Sequence, residues 1–247
     1  MADYLDMQAE LGISKHQGGL PATRRLLKLC HVERAAEVLD VGCGIGVGPA
    51  YIARTHGCRV VGVDRSPRMI EWARERARWD GVEDLVELRV ADLRELPFET
   101  DRFDVVVAES VLAFVDDKAQ AIRELVRVTK PGGHVGLNEL VAVDVIPEDV
   151  AQVARDMGTQ VLSAADWRAI WDASGLGDPV IKIHRIDPVV EVRSRIRWMG
   201  LRWLARAWAR AAWLLATRPD LRDSVRTVMG GARALDAWAY ALLTGRK

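Results

Sequence analysis

The sequence predicts an α/β fold, a doubly wound and mostly parallel sheet of seven strands, from three observations. Apolar strand-like runs alternate with helical segments from about residue 36 to 141, the pattern of strand–helix–strand units. The first run passes into Val38-Leu-Asp-Val-Gly-Cys-Gly-Ile-Gly-Val-Gly48, with Gly42, Gly44 and Gly46 at alternate positions before a helix-compatible segment. Glycines belong where backbone turns sharply or meets a ligand closely, and a glycine-rich strand-to-helix turn is where an open α/β sheet holds a nucleotide-like ligand. Successive runs also carry acids at or near their ends: Asp40, Asp64, Asp92 and Glu109.

In chain order, residues 1–30 read as an N-terminal helical cap in two pieces, divided at Gly18-Gly19-Leu20-Pro21. The second piece opens on Pro21, whose missing N–H costs nothing at a helix start. After strand one and the glycine turn, Cys58-Arg-Val-Val-Gly-Val-Asp64 is strand two. Ser66 and Pro67 then open a helix as N-cap and first helical residue. Val86-Glu-Leu-Arg-Val-Ala-Asp92-Leu93 is strand three, and Phe103-Asp-Val-Val-Val-Ala-Glu109-Ser110 is strand four. Ala119 to Thr129 gathers Ile122, Leu125, Val126 and Val128 on one helical face that packs on the sheet. Asp166 to Ser174, bounded by Gly175, is a further helix; Pro179-Val-Ile-Lys-Ile-His-Arg-Ile alternates as strand six. Trp238-Ala-Tyr-Ala-Leu-Leu-Thr is strand seven, preceded by a helical insertion, a lid or a cap, over residues 188–234. With 247 residues and 49% hydrophobic content, residues 1–247 read as one domain.

The glycines alone leave the ligand open. A dinucleotide fingerprint needs G-x-G-x-x-G. Counted from Gly42 the sixth position is Val47, and from Gly44 it is Pro49, which disfavours an NAD-dependent oxidoreductase. The form that is present, with an acid two residues before the first glycine, resembles motif I of the class I S-adenosylmethionine (SAM) dependent methyltransferases. Asp64, 18 residues beyond Gly46, matches the family's acid at the end of strand two. Ala-Asp92-Leu93, the strand-four run and Lys130-Pro-Gly-Gly133, which the family places before strand five, complete a set of five motifs over roughly residues 36–140.

This resemblance implies a Rossmann-like sheet whose last strand runs antiparallel between strands five and six. It implies SAM as cofactor, S-adenosylhomocysteine as product, and methyl transfer to a small-molecule or lipid-like acceptor. Asp64 would accept both ribose hydroxyls, Asp92 would accept from the adenine amino group, and the Leu93 N–H would reach a ring nitrogen. Tyr4, Asp40, Gly42, Gly44, Gly46, Arg65, Met69 and Glu109 join them on the cofactor side. The alternative is a SAM-binding protein of the same fold with lost or redirected chemistry, such as a cyclase.

Methyl transfer from a sulfonium needs nucleophile, methyl and sulfur held in line, with water excluded. A general base is required only when the acceptor must lose a proton. The cofactor half of such a site is therefore readable and the acceptor half is not. Family sites collect acceptor contacts from the N-terminal helix, the ends of strands four and five, and the insertion. These places hold Tyr4, His16, Glu109, Ser110, Phe114, Asn138, Glu139 and a Trp-rich segment that includes Trp203. The Asp/Asn-Pro-Pro-Tyr/Phe motif of nucleic-acid amino methylation is absent after strand four, where Glu109-Ser-Val-Leu stands.

Composition bounds the remaining classes. Cys30, Cys43 and Cys58 lack metal-ligand spacing, so no metal site is expected and a reduced cytoplasmic protein is. The first residues have neither a basic region nor an apolar run, so no signal peptide is expected. The zero net charge hides a split, about −8 over residues 1–189 against +8 over 190–247. Within the insertion, Trp198, Trp203, Trp208 and Trp213 are five apart and step ~140° around a helix, so they form no single stripe. Arg202, Arg206 and Arg210 do form one. A structural cap, a substrate lid, and a weak membrane-surface contact through 190–216 all fit this segment. Nucleic-acid binding lacks a second basic element, and oligomeric state is not encoded in any pattern found.

Overall fold

The computed structural model describes residues 4–142, 148–218, 222 and 238–247. Its sheet comprises β1 (Glu37–Val41), β2 (Arg59–Asp64), β3 (Val86–Val90), β4 (Phe103–Glu109), β5 (Thr129–Ala142), β6 (Leu162–Ser163), β7 (Gly177–Arg185) and β8 (Trp238–Arg246). The order across the sheet is β3-β2-β1-β4-β5-β8-β7, with β6 pairing beside β5. The pairs among β1 to β6 are parallel, and β8 is antiparallel to both β5 and β7. The sequence's strands six and seven are thus β7 and β8, and the last strand is inserted where the resemblance implied. The two-residue β6 and the helix α6 (Glu148–Asp156) were not anticipated.

Side chains alternate across the strands and so build two cores. Val38, Val60 and Val105 face Leu26, Ile52 and Ile70, which come from α2 (Gly19–Leu29), α3 (Val47–His56) and α4 (Pro67–Asp80). Their neighbours Leu39, Val61 and Val106 face Leu125, Trp167 and Trp171, which come from α5 (Lys118–Val128) and α7 (Ala164–Asp172). With helices on both faces, the central strands can be apolar throughout.

Helix starts follow local chemistry. Ser66 Oγ accepts the Met69 N–H at 3.3 Å with Pro67 in the first turn of α4. Asp117 caps α5, and Ser163 with Asp166 forms a capping box on α7. α1 (Tyr4–Leu11) and α2 are separated by a Gly12–Gly18 loop; α2 starts at Gly19 rather than Pro21, because Gly18 takes a left-handed φ of 70°. Lys130-Pro-Gly-Gly133 lies inside β5 as a bulge: the register against β4 jumps from Phe103–Thr129 to Val105–His134. There Gly132, at φ 81°, donates its N–H to the Lys247 carbonyl. The insertion contains α8 (Pro188–Met199), capped by Asp187, and α9 (Leu201–Thr217). Its remainder, apart from residues 218 and 222, lies outside the described residues.

Candidate active site

In an open α/β sheet, ligands bind beyond the carboxyl ends of the strands, where the strand order reverses. Here that point lies between β1 and β4. A cavity of about 200 Å³ opens there, lined by the glycine turn, the segments after β2, β3 and β4, helix α1 and the Gly12–Gly18 loop.

The floor is the turn from β1 to α3. Gly42, Gly44 and Gly46 have φ of 75°, 53° and 78°. A Cβ at Gly42 would stand 2.6 Å from the Val111 side chain, and one at Gly46 2.7 Å from the Ala73 Cα. The turn is tied to β2 by the Gly42 and Cys43 N–H groups, which donate to the Val63 carbonyl at 2.8 and 2.9 Å. Asp64 adds a second tie: its carboxylate accepts from Gly44 N at 3.0 Å and Ser66 N at 2.9 Å. Burial pushes the Asp64 carboxyl up, against those two N–H groups and Arg65.

Gly42, Gly44, Asp64, Arg65 and Met69 line this end of the cavity, with Asp92 and Leu93 at its rim. Asp92 is held by a forked contact from Arg94, which keeps its carboxyl below the usual range. Gly46 and Asp40 do not line it. Gly46 caps α3, and Asp40 lies buried beneath the turn. Burial, with Glu109 and Asp64 nearby, pushes Asp40 up to about 7, and His16 pulls the other way.

The opposite wall is a buried polar network at the end of β4. Glu109 accepts from Thr23 Oγ1 and from Asn138 Nδ2, both at 2.9 Å, and His16 Nδ1 stands 3.7 Å from its other oxygen. Burial alone disfavours the imidazolium of His16; Glu109, Asp40 and Glu191 outweigh it and raise its pKa. Ser110, at a left-handed φ of 60°, accepts the Gln17 N–H on its Oγ at 3.0 Å. A non-glycine residue held there stores strain, and such strain clusters at ligand sites. Among the described residues, His16 Nδ1 and Gln17 Oε1 are buried without a hydrogen-bond partner. A ligand offering polar groups would answer that deficit.

Tyr4, His16, Glu109, Ser110 and Phe114 therefore share the cavity. Asn138 and Glu139 stand behind it, both fully buried. Asn138 orients Glu109 and also donates to the Gln17 carbonyl; Glu139 accepts from Val111 N and Leu112 N. Burial pushes Glu139 up to about 7 against those N–H groups. Trp203 also lies outside the lining. Its indole N–H donates to the Gly12 carbonyl at 2.7 Å, in a cluster with Ala9, Met69 and Met199. Sequence reading missed Ser14, Gln17 and Thr23; a signal was available only for the first two, as neighbours of His16 and the Gly18-Gly19 break.

The donor set fits SAM. A carboxylate faces two glycines with left-handed backbone, an apolar surface from Met69 and Leu93 lies beside it, and polar groups await at the far end.

Comparison with known proteins supports the same conclusion. A methyltransferase-domain family model matches residues 39–137. The chain is 36% identical over 135 residues to Methyltransferase GfsG of Streptomyces halstedii, covering 55% of this chain and 48% of that one. It is 30% identical over 179 residues to Phosphoethanolamine N-methyltransferase 1 of Arabidopsis thaliana, covering 72% and 36%. It thus spans about half or less of the length of these two curated relatives. The [4+2]-cyclase SpnF superposes with a TM-score of 0.74 at 21% identity, covering 96% and 89%, which is a likeness of fold. Motifs, topology and cavity agree with these matches: residues 39–137 form a methyltransferase domain of the class I S-adenosylmethionine-dependent type.

Proposed function

We propose that this chain transfers a methyl group from SAM to a small-molecule or lipid-like acceptor. The observation that carries the reading is Asp64, at the end of β2, facing Gly42 and Gly44 across a cavity whose other end holds His16 and Glu109. When bound, SAM supplies an electrophilic methyl group on a sulfonium. The chain's own residues do the rest. Asp64 accepts the ribose hydroxyls, Asp92 and Leu93 meet the adenine, and Met69 packs beside it. Gly42 and Gly44 let the backbone approach, and Tyr4 and Glu109 border the amino-acid end.

On the acceptor side, His16 in its neutral form can take a proton from a hydroxyl or amine, and the Glu109 carboxylate 3.7 Å away then stabilises the imidazolium that results. The Gly12–Gly18 loop excludes water, with α8 and α9 as its outer brace. The curated relatives include enzymes named for phosphoethanolamine and for norajmaline, which fits an acceptor of small-molecule size.

The test is SAM binding by calorimetry, then mass spectrometry of turnover with a panel of small amines, phenols and lipid-like acceptors. Asp64→Ala should weaken SAM by about 1–3 kcal/mol, since ribose hydroxyls would lose their acceptor. His16→Asn should lower turnover while leaving SAM affinity near that of the parent. SAM binding without S-adenosylhomocysteine formation across the panel would favour redirected chemistry such as cyclisation. Unchanged affinity in a folded Asp64→Ala protein would overturn the cofactor placement.

A further inference from the structure

A surface helix of a water-soluble protein buries its apolar stripe and exposes its polar one. Helix α8 reverses this over its first two turns. Glu191 and Ser194 are buried, the former accepting the Gly18 N–H at 2.5 Å. Val189, Val192 and Ile196, spaced i, i+3, i+7, are 71%, 54% and 43% exposed on the outer face. Helix α9 continues the pattern. Trp203, Ala207, Ala211 and Leu214 point inward, while Leu201, Trp208 and Trp213 are 73%, 62% and 62% exposed.

The charges beside these apolar groups are of one sign. Residues 188–218 carry seven arginines and a single acid, the buried Glu191. Arg206 is paired with Glu75 at 2.6 Å, and Arg210 donates to the Leu11 carbonyl. Arg193, Arg197 and Arg202 are exposed and make no ion pair among the described residues. Arg193 and Arg197 sit next to the Val192–Ile196 stripe, and Arg202 next to Leu201. No helix among the described residues is long and apolar enough to cross a membrane. Exposed valine, isoleucine, leucine and tryptophan set among arginines suit a helix lying in the plane of a lipid interface, with rings at headgroup depth and guanidinium groups on phosphates.

We infer that the outer face of α8 and α9 docks this protein on an anionic membrane surface. The same two helices hold the Gly12–Gly18 loop through Glu191 and Trp203, and the end of α1 through Arg210. Docking would therefore bring the roof of the cavity next to the lipid. The inference does not depend on methyl transfer, since it concerns binding to a surface.

The test is co-sedimentation of the full chain with vesicles of phosphatidylcholine containing one third phosphatidylglycerol, against vesicles of phosphatidylcholine alone. Binding should be confined to the anionic vesicles and should fall as salt rises. Arg193, Arg197 and Arg202 changed together to Gln should weaken it about 100-fold, at about fivefold per arginine. Trp208→Ser, at an exposed position that keeps the fold, should weaken it as well, with circular dichroism checking both variants. Absence of wild-type binding to the anionic vesicles, or equal binding by the arginine variant, would overturn the proposal. So would a stable dimer in light scattering that Ile196→Glu or Trp208→Glu dissociates, which would assign the face to a second copy of the chain.

Discussion

Asp40 illustrates how one residue couples the fold to the site. It is 3% exposed, packed against Gly48, and its carboxyl is raised to about 7 chiefly by burial. A folded-state pKa above the unfolded one means that the native chain binds the proton more tightly. The contribution to stability is therefore full below about pH 4, is lost progressively as pH rises, and is gone above about pH 7. Glu139 and His16, both raised, act in the same direction. Asp40→Asn cannot ionise, so it should reduce the slope and gain stability over the parent above neutrality, on the order of 2–4 kcal/mol. Urea denaturation at about pH 5 and about pH 8 measures this. Identical slopes in parent and variant would place the titrating group elsewhere.

At the scale of elements, the four motifs that end β1 to β4 were legible because their residues answer local demands, whereas Lys130-Pro-Gly-Gly133, read as a turn before strand five, is a bulge inside it. Gly42, Gly44 and Gly46 do take left-handed backbone, and Ser66-Pro67 does start α4. The pairing within the polar wall of the cavity was not legible, because tertiary contacts made it. His16 faces Glu109 from a loop 93 residues earlier, and nothing in the periodicity of either segment announces that. Trp203 is the sharpest case. A five-residue spacing forbids one stripe, yet only packing decides which tryptophan goes inward. Trp203 is 3% exposed and bonded to Gly12, whereas Trp208 is 62% exposed. Trp203→Ala should therefore cost about 3–5 kcal/mol and weaken SAM by loosening the loop. Trp208→Ala should stay within about 0.5 kcal/mol. Thermal melts and calorimetry of the two side by side make the comparison. Equal losses would mean that α9 is not anchored through Trp203.

Across the whole molecule, segments distant in sequence close one cavity. The N-terminal loop is pinned from inside by Ser110 and Asn138 and from outside by Glu191 and Trp203, while Arg210 holds the end of α1 that leads into it. A ligand in the cavity thus meets residues 14–17, 42, 44 and 110 at once, and should tie their opening to global unfolding. Ligand that binds only the native state stabilises it by about 2.7 kcal/mol at a hundredfold excess over Kd. For a chain of this size that raises Tm by roughly 5–10 °C. Hydrogen exchange should then show slowed exchange in both the glycine turn and the Gly12–Gly18 loop. β7 and β8 contribute nothing to the cavity lining and should slow only at amides that exchange through global unfolding, by no more than the gain in global stability. Asp64→Ala should reduce both the Tm shift and the added protection at the same SAM concentration, and NAD should produce neither. Protection limited to residues 42–46 would mean that the N-terminal loop stands apart from the bound cofactor, and the water-excluding role given to that loop would fall with it.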